Sequence, residues 1–222
     1  GTINVLSTAV TGTASELSTV YGAASITGLA SEAVTITDAT ISATDITAVD
    51  ALTTGVVTVS STTITGTNAQ ISALYAGTIA GLEGKALTIS DTSLFSTALN
   101  SLDGNTTGLV DASSVTSLSG SSATLSTAYS SDGITGLGDE QVAITGQTAS
   151  AAALNTIDAG TTGGIDASTV NKLTGTGADA LTAFNSSGIT GLDFDAANYL
   201  ATYTDLIGAF GSNTTAASAH YF

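Results

Sequence analysis

The sequence predicts an α/β repeat solenoid, and three observations predict it. A block of about 54 residues recurs, short runs of period two alternate with runs of period near 3.6, and Gly stands at fixed places between them. The tetrapeptide Ile-Thr-Gly-Leu or a near relative places Gly28, Gly81, Gly136 and Gly191 at steps of 53, 55 and 55. A second column holds Gly12, Gly66, Gly120 and Gly175, each two residues after Val10, Ile64, Leu118 and Leu173. Thr-Thr-Gly adds Gly55, Gly108 and Gly163, preceded by Asp50, Asp103 and Asp158.

Each repeat reads as two strand-then-helix halves. The first half opens on Val34–Thr37, Leu87–Ser90 and Val142–Thr145, where alternation puts Val or Leu and Ile on one face and leaves the other mainly to Thr and Ser. The second half opens on Val57–Val59, Val110–Ala112 and Ile165–Ala167, with Ile3–Val5 in the same place at the start, so the chain is expected to begin partway through a repeat. Helical spacing follows each strand. Ile46 with Val49, Leu99 with Leu102 and Leu154 with Ile157 are i, i+3 pairs, and Leu17-Val20-Tyr21 and Ile71-Leu74-Tyr75 are i, i+3, i+4 triples. Thr13 followed by Glu16 predicts a capping box, and the Gly just upstream supplies the turn into the helix.

One strand and one short helix cannot bury their apolar faces alone, so stacking of successive coils is required. Tyr21, Tyr75, Tyr129 and Phe184, at steps of 54, 54 and 55, are expected to form an aromatic ladder inside that stack. The alternative is an all-β solenoid in which the helical segments are turns. The repeats are assigned to residues 1–192, with units near 1–30, 31–84, 85–139 and 140–192. Residues 193–222 form a C-terminal helical module: Asp195 caps one helix, Thr204 a second ending at Gly211, and Ser212 or Asn213 starts a third.

Composition removes whole classes of function. Eighteen acidic residues against two basic ones, Lys85 and Lys172, leave a net charge of −16. Without a cationic footprint there is nothing to displace counterions from nucleic acid, and an anionic membrane surface repels the chain. No apolar run reaches the ~18–20 residues of a spanning helix. Without Cys, disulfides, thiolate metal sites and thiol nucleophiles are excluded.

The run Tyr199-Leu200-Ala201, Asp205-Leu206-Ile207, Ala209-Phe210-Gly211, Ala216-Ala217 and His220-Tyr221 resembles a short helical module of large secreted surface proteins of bacteria, especially cyanobacteria. In that module a Gly and Glu-Gly-Arg follow the His-Tyr pair; here Phe222 ends the sequence, and the piece is expected to be cut from a longer polypeptide. The repeats, with Leu102-Asp103-Gly104, Thr107-Gly108 and Val110–Val115, are similar to the long arrays of the same proteins. The resemblance implies export of the type I secretion (RTX-like) kind and an extracellular or cell-surface location. It also brings calcium-binding Gly-Gly-x-Gly-x-Asp nonapeptides, from which this chain departs: Gly163-Gly164-Ile165-Asp166 is the nearest approach and is not tandem.

Chemistry has few places to reside. The sole histidine, His220, is read as a packing residue of the module rather than a triad or metal residue. An Asp in every repeat, as in the column Asp50, Asp103, Asp158, reads as a turn or cap residue, and Asp38 and Asp91 extend that reading. Oxygen-only ligands suit calcium, and Asp193 with Asp195 is the candidate calcium pair; no other cofactor is expected. Ice binding by Thr rows is disfavoured because Thr35 and Thr88 are followed in their column by Ala143.

These readings converge on a non-enzymatic structural segment of a secreted bacterial cell-surface protein: a surface layer, an extracellular filament or an adhesin stalk. Its partners would be identical copies or neighbouring repeats, with no nucleic acid and no membrane insertion. The alternatives are a carbohydrate-binding or polysaccharide-cleaving solenoid and an ice-binding protein.

Overall fold

The computed structural model describes residues 1–193 and the isolated positions 213 and 215. The chain opens with β1 (Ile3–Asn4), β2 (Ala9–Gly12), α1 (Ala14–Gly22), β3 (Ile26–Thr27), β4 (Ala33–Ile36), β5 (Thr40–Ser42) and α2 (Ala43–Asp50). It continues with β6 (Val57–Val59), β7 (Thr63–Gly66), α3 (Asn68–Ala76), β8 (Ala86–Ile89), β9 (Ser93–Phe95) and α4 (Ser96–Asn105). Then follow β10 (Val110–Asp111), β11 (Ser117–Gly120), α5 (Ser122–Tyr129), β12 (Ile134–Thr135), β13 (Gln141–Ile144), β14 (Thr148–Ser150) and α6 (Ala151–Gly160). The described part closes with β15 (Ile165–Asp166), β16 (Lys172–Thr174), α7 (Gly177–Asn185) and β17 (Ile189–Thr190).

This is the expected α/β class, with strand–helix units in parallel sheets; α1–α7 are helices, so the all-β alternative is wrong. The helices begin where hydroxyl side chains take up their free N–H groups. Thr13, Ser42, Thr67, Ser121, Ser150 and Thr176 each accept from the amide three residues on, and Thr13–Glu16 and Thr67–Gln70 are complete capping boxes.

Gly1–Leu94, Ala98–Val115 and Ser131–Gly136 make up one compact unit. Its sheets are β1–β3, β2–β4–β6 and β5–β7–β8–β10–β12, parallel throughout. Period-two alternation sends one residue set inward: Ile41, Ile64, Leu87, Val110 and Ile134 lie side by side across the largest sheet and are all buried. Helix α1 packs on α2 and α2 on α3, presenting the fully buried Leu17, Ile46 and Ile71. Burying each such side chain contributes roughly 1.5–3 kcal/mol.

Phe95–Thr97, Thr116–Ser130 and the described residues between 137 and 193 make up a second unit. Here β11, β13, β15 and β17 follow one another in a parallel sheet, with Leu118, Val142, Ile165 and Ile189 as the buried row, and β14 pairs with β16. Helix α5 packs on α6 and α6 on α7. The chain passes from one unit to the other within β9 and α4, and again after Val115, Ser130 and Gly136.

Within each unit paired residues are 23 or 24 positions apart, as in Val34 with Val57 and Val110 with Ile134. This corrects the expectation that residues one sequence repeat apart become neighbours. Two pairing steps fall seven residues short of the 54-residue repeat, and seven is the distance from one strand start to the next, as from Ala33 to Thr40. The longer period therefore relates equivalent sheets: β2–β4–β6 is matched residue for residue by β7–β8–β10 one repeat later. The Ile-Thr-Gly-Leu motif is the last strand of a sheet before Gly28, Gly136 and Gly191 and a single bridge before Gly81, and its Gly turns the chain away with φ of 85, 78, 82 and 80° at Gly28, Gly81, Gly136 and Gly191.

Candidate functional site

Of the polar side chains that the fold buries, Glu32, Thr106, Glu140 and Thr161 stand at one recurring corner of the repeat. Glu32 and Glu140 are 5 and 1 % exposed in a chain where only 9 % of residues are charged. Each follows its repeat's Tyr by eleven residues and meets it: the Tyr21 hydroxyl donates to Glu32 Oε2 at 3.3 Å, and the Tyr129 hydroxyl donates to Glu140 Oε1. The other contacts to these carboxylates come from backbone. Ala30 N–H donates to Glu32 Oε2 at 2.8 Å and Gly138 N–H to Glu140 Oε2 at 2.8 Å.

Thr-Thr-Gly completes the corner from the next half-repeat. Thr53 Oγ1 donates to the Glu32 carbonyl at 2.8 Å while accepting from Gly55 N–H, and Thr161 repeats this on Glu140 with Gly163. A Cβ on Gly55 or Gly163 would stand 2.1 Å from the carbonyl oxygen of Glu32 or Glu140, so only Gly fits. In the middle repeat Lys85 takes the place of Glu. Thr106 and Gly108 form the same clasp on the Lys85 carbonyl, and the Tyr75 hydroxyl turns to the Leu82 carbonyl at 3.1 Å.

Burial is the first cause that raises the pKa of all three tyrosines. At Tyr129 the hydrogen bond to Glu140 and its charge raise it further; at Tyr21 and Tyr75 the charges of Glu32 and Glu83 add to burial. Thr53, Thr106 and Thr161 oppose these shifts by hydrogen bonding. These hydroxyls stay protonated through the neutral range and act as donors.

The four ring positions expected to form a ladder are Tyr21 on α1, Tyr75 on α3, Tyr129 on α5 and Phe184 on α7, all half-buried. In the first unit α1 and α3 each pack on α2, and in the second α5 and α7 each pack on α6. The structure gives each tyrosine a local clasp. The Tyr129 ring lies over Gly160, where a Cβ would approach it to 2.5 Å.

The repeated acids hold turns and helix ends. Ser131 Oγ donates to Asp103 Oδ2 at 2.7 Å and Ser186 Oγ to Asp158 Oδ2 at 2.8 Å, and each Ser accepts from the Gly two residues on. Asp38 and Asp91 reach further than a local turn. They accept from Ala14 N–H at 2.8 Å and Asn68 N–H at 2.6 Å, capping α1 and α3 from strand-to-strand connections 24 and 23 residues downstream. Asp111 and Asp166 close short turns onto Ser113 and Ser168.

Asp193 is exposed; Asp195, His220 and the C-terminal helical module lie outside the described residues. Among the described residues no three His, Cys, Asp or Glu side chains converge on a metal position. The Thr row runs along a different column from the expected one: Thr35 neighbours Thr11 and Thr58, not Thr88, and the run ends at Ala80. Sequence reasoning missed Glu32 and Glu140, whose signal is an acid recurring at a fixed distance after Tyr. Comparison with protein-family models, curated proteins and solved structures gives no match to this chain.

Proposed function

We propose that the chain is a structural, non-enzymatic repeat segment of a secreted bacterial cell-surface protein, built as a solenoid and acting by coil stacking and self-association. Surface layers, extracellular filaments and adhesin stalks are the settings that suit it. The observation that carries the reading is the constant parallel pairing step of 23 or 24 residues, with like residues side by side. A fold held by repeated strand addition lengthens by the same contacts that stabilise it. Its acids support the reading too, because Asp38, Asp91, Asp103, Asp158, Glu32 and Glu140 each tie one coil or corner to another.

A charge of −16 keeps such segments apart until contacts or divalent cations offset it. Asp193 with Asp195 is the proposed calcium pair, and the location is extracellular. Among the described residues no helix is long and apolar enough to cross a membrane. Electron microscopy and sedimentation of the purified chain, with calcium and with a chelator, test the reading. Filaments, ordered sheets or concentration-dependent oligomers are expected; a monodisperse monomer at every concentration and in both conditions contradicts it.

A further inference from the structure

One sheet face departs from its equivalents where a ligand would sit. On the outward face of β11–β13–β15–β17, Ser117 lies beside Gln141, and Ala143, Asp166 and Thr190 form the next row. In the first two repeats Gln141 is matched by Ala33 and Ala86, Ala143 by Thr35 and Thr88, and Gly164 by Val56 and Leu109. Val56 and Leu109 project into solvent, 56 and 54 % exposed. With Gly in place of the large apolar side chain and Ala in place of Thr, the third repeat has a hollow of about 440 Å³, rimmed by Ser117, Gln141, Asp166 and Thr190.

The rim defines what fits. Hydrogen bonding by the Ser168 side chain, and by Ser168 N–H to Asp166 Oδ1 at 2.9 Å, fixes the carboxylate and holds its pKa below the ordinary value. Thr190 Oγ1 donates to the Ile165 carbonyl at 3.1 Å, so its lone pairs are left as acceptors. The Gln141 amide offers both donors and an acceptor, and the Ser117 hydroxyl one of each kind. No Lys or Arg lines the hollow, which excludes an anionic ligand, and a single carboxylate does not hold a divalent cation. Hydroxyl groups match this mixture, and the Ala143 methyl supplies an apolar part of the lining.

We propose that this hollow binds one neutral pyranose ring of a glycan. Titration of the full chain with glucose, galactose, mannose and N-acetylglucosamine, followed by amide NMR shifts, tests it, with glucuronate as the charged control. At least one neutral sugar should give saturable shifts at Gly164, Asp166 and Thr190, with Kd on the order of 1 mM. Glucuronate should bind at least about tenfold more weakly. Gly164→Leu, which restores the residue type that the fold already carries at 109, should weaken binding about tenfold or more while leaving the melting curve in place. Asp166→Asn keeps an oxygen for Ser168 and should also weaken binding. No saturable shift from any neutral sugar up to about 50 mM, equal binding of glucuronate, or undiminished binding by Gly164→Leu would overturn the assignment.

Discussion

The Tyr129 hydroxyl donates to the Glu140 carboxylate, and Glu140 is almost wholly buried. Two polar groups that would be costly to bury singly satisfy each other, while Thr161 and Gly163 lock the same residue through its carbonyl. In the middle repeat, where Lys85 stands in place of the Glu, the Tyr75 hydroxyl donates to the Leu82 carbonyl instead.

Removing the hydroxyl should therefore cost more in one repeat than in another. Tyr129→Phe leaves a buried carboxylate without its side-chain donor and should destabilise by about 1–3 kcal/mol, whereas Tyr75→Phe removes a neutral hydrogen bond worth about 0.5–1.5 kcal/mol. Urea unfolding of the two variants measures the difference.

Alkaline pH should weaken the fold. Burial raises the folded-state pKa of Tyr21, Tyr75 and Tyr129 above the ordinary 10.0, so the folded chain holds these protons more tightly than the unfolded chain. That contribution is complete below pH 10 and is lost as pH rises through the folded-state values. Stability followed from pH 8 to 11 should fall beyond pH 10, and the fall should be shallower in Tyr129→Phe.

Adjacent glycines should respond oppositely to the same change. Gly163→Ala drives a methyl against the Glu140 carbonyl, 2.1 Å from the ideal Cβ position, and should cost about 3 kcal/mol or more. Gly164→Ala meets only the movable Gln141 amide at 3.0 Å and should leave the melting temperature within a degree or two. Thermal melts of both variants decide the matter.

Much of the fold was legible in the residues. Alternation at Val34–Ile36 and Leu87–Ile89, the helical pairs such as Ile46 and Val49, and the Thr13–Glu16 box all lie in the elements expected of them. Which strands pair was not legible, because both halves of the repeat carry the same kind of apolar residue. Val34 is as compatible with Leu87, its equivalent, as with Val57, its neighbour. The strands β5, β7, β9, β11 and β14 were hidden for another reason: each runs directly, or through a single hydroxyl cap, into a helix, and β16 does so through Gly175 and Thr176, so the period-two stretch is only three or four residues long. The corner acids were overlooked because an isolated Glu reads as solvated surface; only the three-dimensional clasp shows why it is buried.

The pairing step is the claim on which the rest depends, and the absence of native cysteine makes it directly measurable. Thr35→Cys with Thr58→Cys places two thiols on one face of neighbouring strands, ~4.8 Å apart at the backbone and within disulfide reach. Thr35→Cys with Thr88→Cys joins two equivalent positions of different sheets. Under mild oxidation the first pair should close an intramolecular disulfide and the second should stay reduced. Closure of the 35–88 pair with the 35–58 pair left open would contradict the account.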